Sequence, residues 1–242
     1  MTREGTLARA MIELADTLVD DFDIVDLLTT LTNRCVEVLD IAAAGILLVD
    51  SGGDLRAMAS SSDVMRIVEL FELQSQEGPC LDCYRTGRAV VNQDLTAAGD
   101  RWPRFTPVAV DAGFRAADAV PMRLRGEIVG ALNLFRSAPD SLNGDDVLVA
   151  QALADIATIA IIQHNAVRDA RRLNDQLTEA LNSRIAIEQA KGMIAEREAV
   201  DMEQAFNRLR AHARDHNERL VNVAARVIAG TLVAPDLDRP PR

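Results

Sequence analysis

Apolar residues return every three or four positions through two early stretches, LARAMIELADTLV and IVDLLTTLTNRCVEVL, and that period places each stretch on one side of a helix. Asp23 stands directly before the second, where its carboxylate is placed to cap the first turn. The period then changes. Ala42 to Val49 is an unbroken apolar run, Asp50-Ser51-Gly52-Gly53 supplies turn residues and DLRAMASS follows, which predicts a strand, a tight turn and a strand. Helical spacing resumes from about Val64 to Gln74. QEGPCLDCYRTGR reads as a loop, AVVN as a short strand and RWPRFTP as a Pro-rich connection. FRAADAVPMRL and EIVGALNLFR read as longer strands, joined at Leu124-Arg125-Gly126-Glu127 by the glycine a hairpin needs. From Asp145 one long helix runs past residue 165.

A helical pair, a hairpin, a helix and a second antiparallel group closed by a helix give an α+β fold, an antiparallel-sheet sandwich with one main sheet. With 242 residues, 48% of them hydrophobic, the chain has material for one large core and a smaller appended module. The order of elements resembles a GAF domain, a small-molecule-sensing fold, over residues 5–165. The hairpin strands, the EGPC segment from Glu77 to Cys80 and PMRLRGEIVGALNLFR from Pro121 to Arg136 carry the resemblance. It implies a pocket on the sheet face for an unidentified small molecule, bordered by Glu77 to Tyr84 and Arg101 to Phe105. Cys80, Cys83, Tyr84, Trp102 and Phe105 are the candidate sensor residues, with Trp102 and Phe105 either closing the pocket or packing the loop. The Asn-Lys-x-Phe-Asp-Glu signature linked to cyclic nucleotides in GAF domains is absent, which argues against that ligand class. No cofactor can be named.

Ile159, Ala166, Leu173, Ala180 and Ile187 recur at seven, with Ala170 and Leu177 at the intermediate position and Gln163 and Arg184 interrupting. Such a seam predicts a linker helix at 166–183 that pairs with a second copy as a coiled-coil homodimer. A helix that packs on its own sheet is the other reading, and the two can hold for different halves.

Three short amphipathic helices follow between 184 and 232. Ile187, Ala190 and Ile194 form one face of the first, beside Glu188, Lys191 and Ala195. Asp201 caps the second, whose stripe is Met202, Ala205, Phe206, Leu209 and Ala213. Leu220, Val223, Ala224, Val227 and Thr231 mark the third, and Gly230 ends it. Three pieces in order, IEQAKGMI from Ile187, AFNRLRAHA from Ala205 and VAARVI from Val223, resemble the ANTAR domain, the RNA-binding module of bacterial transcription antiterminators, over about 180–232. The resemblance implies binding to RNA hairpins of nascent transcripts. Residues 233–242 read as a flexible tail.

Lys191 is the only lysine of the chain and precedes Gly192 within a helix, where glycine costs about 1 kcal/mol relative to alanine. Gly192 between Ala190 and Ala195 lets a backbone approach, either another helix or a ribose-phosphate chain, and Lys191 offers a point charge to phosphate. Arg184, Arg208, Arg210 and Arg214 complete the candidate RNA contacts, a solvated charged face being the alternative for each. Phe206 lies on the apolar stripe, so recognition is expected to use hydrogen bonds and shape, with no stacking aromatic.

The net charge of −11 opposes unspecific binding of polyanions, but it is unevenly spread. From Arg184 to Gly230 eight bases face seven acids, a net +1, which leaves −12 to the rest. Three cysteines fit no disulfide framework. Cys80 and Cys83 have the spacing of a redox or zinc pair, but His164, His212 and His216 are distant in sequence. There is no run of roughly 18 apolar residues and no secretory leader pattern, so no membrane is expected and the cytoplasm is the expected compartment. No phosphate loop, nucleophile elbow or His-Glu metal motif occurs, so no enzyme is expected; no receiver domain is present, so phosphorylation is not the expected input. Two readings remain: an RNA-binding antiterminator gated at the GAF domain, and a protein-interaction adaptor whose helical tail docks a partner.

Overall fold

A computed structural model describes residues 3–17, 23–124, 126–139 and 141–232. The chain divides into two compact units, Met1–Asn165 and Ala166–Arg242.

In the first unit β1 (Ala43–Val49), β2 (Leu55–Ser60), β3 (Val90–Asp94), β4 (Ala116–Leu124) and β5 (Glu127–Arg136) form one antiparallel sheet in the order β2-β1-β5-β4-β3. Side chains alternate between its faces. Ala44, Ile46, Leu132 and Leu134 pack with Leu14 of α1 (Arg3–Thr17), Leu28 and Leu31 of α2 (Ile24–Leu39) and Leu153 and Ala157 of α6 (Gly144–Glu198). Ala43, Leu47, Ala131 and Phe135 pack on the other side with Met65 and Val68 of α3 (Asp63–Ser75), Cys80 and Cys83 of α4 (Pro79–Thr86) and Phe105 of α5 (Phe105–Asp111). Because both faces are covered, β1, β4 and β5 are apolar almost without alternation.

Two stretches expected to be irregular are helical. QEGPCLDCYRTGR contains α4 and RWPRFTP leads into α5. Neither helix is capped by its own first residues. Glu72, from α3, accepts the amides of Cys80 (2.7 Å) and Leu81 (3.2 Å), filling the role that Gly78 at the N-cap has no side chain to play. Gly78 has φ +146°, and a Cβ there would run into the Glu72 carboxylate. Glu77 caps α5 in the same manner, its Oε2 accepting from the amides of Arg104 (2.8 Å) and Phe105 (3.4 Å). Pro79 and Pro107 sit in first turns, where a missing N–H costs no intrahelical bond. The EGPC segment thus serves two helix starts at once.

Gly126 turns the β4–β5 hairpin with φ +95°; its neighbour Arg125 lies outside the described residues. Gly130 of β5 lies against β1, where a Cβ would run into the Leu47 carbonyl oxygen, a backbone atom with no freedom to yield. Gly130→Ala is therefore expected to destabilise the sheet by about 2 kcal/mol and lower the melting temperature by roughly 5 °C. An unchanged thermal transition would show that the two strands have slack.

α6 spans 55 residues. Ala150, Leu153, Ala154, Ala157, Ala160 and Ile161 are spent against the sheet, which accounts for an 18-residue window of mean hydropathy 1.6, long and apolar enough by composition to cross a membrane. From 165 to 182 every side chain is exposed, including Ala166, Ala170, Leu173, Leu177 and Ala180 of the heptad seam.

The second unit closes on Ala190 and Ile194 of α6, Ala205, Leu209 and Ala213 of α7 (Met202–Asp215), and Val223, Ala224 and Val227 of α8 (Leu220–Ile228). Asp201 caps α7 through the Gln204 amide at 2.7 Å. The first helix of the trio is the end of α6 itself, and Leu232, not Thr231, completes the core. The tail at 233–242 lies outside the described residues.

Candidate functional site

On the last turns of α6, Arg184, Glu188, Lys191 and Ala195 share a face by helical spacing. Arg184 is exposed and Ala195 half-buried. Lys191 is held in place: its Nζ lies 2.9 Å from both Glu188 carboxylate oxygens and 5.5 Å from the centre of the Phe206 ring. That arrangement corrects one expectation. Phe206 is outside the core of the unit, half-buried under the Lys191 ammonium, and Met202 is exposed as well. His212 takes the buried position expected of a larger apolar residue, its ring stacked on His216. An aromatic ring therefore does stand beside the basic side chains, and recognition by shape and hydrogen bonding alone no longer follows.

Ala190 is wholly buried between the three helices, so it packs the core and offers no contact surface, contrary to its place among the candidate RNA contacts. Around Gly192 a Cβ would meet nothing within 4 Å. The tight helix crossing that one reading of this glycine required is absent among the described residues, and its side of α6 is open to an approaching backbone. The three arginines of α7 do not converge. Arg210 and Arg214 are one turn apart and exposed, on the side that begins with Phe206. Arg208 lies about 200° around the helix from Arg210 and pairs with Glu198 at 3.7 Å. Lys191, Phe206, Arg210 and Arg214 thus form one strip, from which Arg208 is turned away.

In the first unit the sensor residues separate. Cys80 and Cys83 lie on α4 and not in a loop, and both are fully buried. Burial pushes the Cys80 thiol well above its ordinary range and Cys83 up to about 12, and Cys80 Sγ donates to the Ala131 carbonyl. Burial thus keeps both thiols in the protonated form, which is the less reactive one. Trp102 and Phe105 are also buried, in an edge-to-face pair at 6.1 Å, with the indole N–H donating to Asp82. They pack the interior and do not close a pocket. Tyr84 faces the other way and borders a surface cavity of about 380 Å³ with Leu55, Arg56, Leu73 and Arg85. Among the described residues no cluster of three or more His, Cys, Asp and Glu could hold a metal.

Two acids went unmarked in the sequence. Glu69 and Glu72 of α3 are wholly buried, and desolvation pushes their carboxyls up to about 8 and about 7. The available signal was that α3 is apolar nearly all round, at Val64, Met65, Ile67, Val68, Leu70, Phe71 and Leu73, so its acids had little polar side to occupy.

A family model described as GAF domain matches residues 23–162, and one described as ANTAR domain matches residues 175–228. Among solved structures, the GAF domain of an Acinetobacter phosphoenolpyruvate-protein phosphotransferase is similar with a TM-score of 0.53 at 16% identity, covering 70% of this chain and 99% of that one. The free methionine-R-sulfoxide reductase of Neisseria meningitidis, solved with its substrate, has a TM-score of 0.52 at 22% identity, covering 69% of this chain and 91% of its own. The GAF domain of a Coxiella burnetii phosphoenolpyruvate-protein phosphotransferase gives 0.52 at 14%, covering 68% and 97%. At these identities the likeness is one of fold. No curated protein matches the chain significantly.

Proposed function

Since the chain belongs to the GAF domain family over residues 23–162 and carries an ANTAR domain at 175–228, we propose that it regulates transcription antitermination by binding RNA hairpins through the second unit, under control of the first. The observation that carries this reading is the ANTAR match over a surface on which Lys191, Phe206, Arg210 and the open side of Gly192 stand clear of the core. Lys191 already sits between an acid and an aromatic ring, so a phosphate takes over a cation that is in place and not one recruited from solvent. The role is regulatory, with no catalytic step assigned to any residue. The exposed seam at Ala166, Ala170, Leu173, Leu177 and Ala180 supports a homodimer paired along α6, which presents two ANTAR modules to two hairpins. The first unit takes a small-molecule signal.

Retention of a synthetic two-hairpin RNA by the full chain tests this. Lys191→Ala is expected to weaken binding about tenfold, the loss of one charge-assisted bond to phosphate. Undiminished affinity would remove Lys191 from the interface. A wild-type chain that retains no hairpin RNA would overturn the whole reading and leave the adaptor, whose partner would then seat on exposed apolar residues such as Met202.

A further inference from the structure

α3 is seated with two of its acids inward. Val64, Ile67 and Leu70 face solvent, while the side against the sheet carries Glu69 and Glu72 among Met65, Val68 and Ser75. Room for this is built into the strands. A Cβ on Gly45 of β1 would overlap the Glu69 carboxylate, so the glycine leaves the space in which that carboxyl sits. Asn133 of β5 stands directly opposite Gly45. Side chains of an opposed pair leave the same face of the sheet about 5 Å apart, which makes the Glu69 carboxyl and the Asn133 amide neighbours.

Their hydrogen bonding is incomplete. Ser60 Oγ donates to Glu69 Oε2, Asn133 Nδ2 donates to Glu72 Oε2 at 2.9 Å, and Glu72 Oε1 holds the first amides of α4. Glu69 Oε1 and Asn133 Oδ1 are left without a partner, although both residues are wholly buried. With Glu69 ionised, both of these atoms are acceptors and nothing between them can donate. Among the described residues the surroundings supply no compensating cation. On α4 the titratable groups are Cys80, Cys83, the partly exposed Asp82, which is engaged by Arg101, and Tyr84 and the exposed Arg85, which border the surface cavity, Arg85 donating to Gln76. Glu77, between α3 and α4, is spent on the α5 amides, and Arg104 of that junction donates to the Ser75 carbonyl. From the sheet, Arg123 of β4 acts on Cys83, and Gly45, Ser60 and Asn133 carry no charge. The Arg136–Asp118 pair points to the opposite face, with Leu132 and Leu134. Two ionised carboxylates held there by neutral donors alone would be strongly unfavourable, and one proton answers both unpartnered oxygens at once.

We propose that Glu69 is kept as the neutral acid, donating its Oε1 proton to Asn133 Oδ1, and that loss of this proton unseats α3 and the first turn of α4, so that the first unit responds to pH. The proton leaves Glu69 for solvent hydroxide or buffer base, and the carboxylate it leaves behind has no donor at Oε1. Burial, which lifts Glu69 to about 8 and Glu72 to about 7 from an ordinary value of 4.5, agrees. The sign follows. The folded state binds more protons than the unfolded chain, so this contribution to stability is complete below about pH 4.5 and is lost as pH rises through 7 to 8.

Hydrogen exchange of residues 63–86 in the full chain, at about pH 6 and about pH 9 and corrected for intrinsic amide chemistry, tests it. Wild-type protection is expected to fall about tenfold or more across that range, while Glu69→Gln keeps its protection, because the glutamine amide donates to Asn133 Oδ1 at either pH. An equal fall in both proteins, or no fall in the wild type, overturns the proposal. If Glu69→Gln does not fold, infrared spectra of the wild type decide. A neutral buried carboxyl band at about pH 6 that disappears towards pH 9 and shifts in Ser60→Ala supports it, since Ser60 bonds Glu69 and not Glu72. Absence of that band, or indifference to Ser60→Ala, overturns it.

Discussion

Placing lysine at both Leu173 and Leu177 is expected to turn a dimer into a monomer and weaken binding to a two-hairpin RNA by about 100-fold, with affinity for a single hairpin unchanged. Both leucines are exposed on α6 and far from any core, 56% and 62% accessible, so the fold of either unit has little reason to register the change. What the lysines alter is the pairing surface of the proposed homodimer. In a seam that already contains Gln163 and Arg184, Leu173 and Leu177 are its two largest contiguous apolar residues, and two like charges there oppose a second helix directly. Two hairpins held by two linked modules share an effective concentration, whereas a monomer has only the affinity of one. Sedimentation gives the oligomeric state and filter binding the two affinities. A double variant that still sediments as a dimer would place the interface elsewhere. A monomer that keeps full two-hairpin affinity would remove linkage from the mechanism.

The parts of this protein that follow from local pattern were open to reading in the sequence. Period and apolar runs fix β1, β5 and the α2 helix, Asp23 and Asp201 cap where they stand, and the heptad from Ala166 to Ala180 is exposed as a seam requires. What escaped depends on residues distant in the chain. α4 exists because Glu72, eight positions before Cys80, serves as its cap, and no feature within PCLDCYRT announces that. α5 depends on Glu77 in the same manner. The inward Glu69 depends on the missing side chain of Gly45, which in the sequence is one small residue in an apolar run. On the second unit, the apolar stripe points Phe206 to the core, yet the ring lies outside it. His212, six residues on, is buried, and the Phe206 ring is left at the edge under Lys191. Ala190 shows the opposite error: the two alanines beside Gly192 look alike in sequence, and only packing separates the wholly buried Ala190 from the half-buried Ala195.

Asp118→Ala is expected to destabilise the first unit by about 3–5 kcal/mol, the largest loss from any single side chain considered. Asp118 and Arg136 are both buried, on neighbouring strands β4 and β5, with Oδ2 accepting from Nη2 at 2.9 Å. Taking away the carboxylate leaves the guanidinium in the interior without this partner, which costs more than the pair contributes when intact. The second oxygen has its own task. Asp118 Oδ1 accepts the amide of Asn92, a residue held at φ +54°. Asn92 in turn exchanges hydrogen bonds with Leu142, through Oδ1 from the Leu142 amide at 2.9 Å and through Nδ2 to its carbonyl at 3.3 Å. Removing one carboxylate therefore frees the strained backbone of β3 and, through it, the segment that leads into α6. Asp118→Asn keeps one acceptor, enough for the Asn92 amide, but turns its own NH2 donor toward Arg136, so it should fall roughly midway. Combining Asp118→Ala with Arg136→Met, which removes the buried cation along with its carboxylate and leaves an apolar side chain of similar reach, should recover more than half of the loss. Denaturant titration of these variants, with Arg136→Met alone to complete the cycle, measures the coupling. A single Asp118→Ala change costing under about 1 kcal/mol would mean that water or another group already neutralises Arg136, and the pair would then be an ornament of the sheet and no part of what holds it.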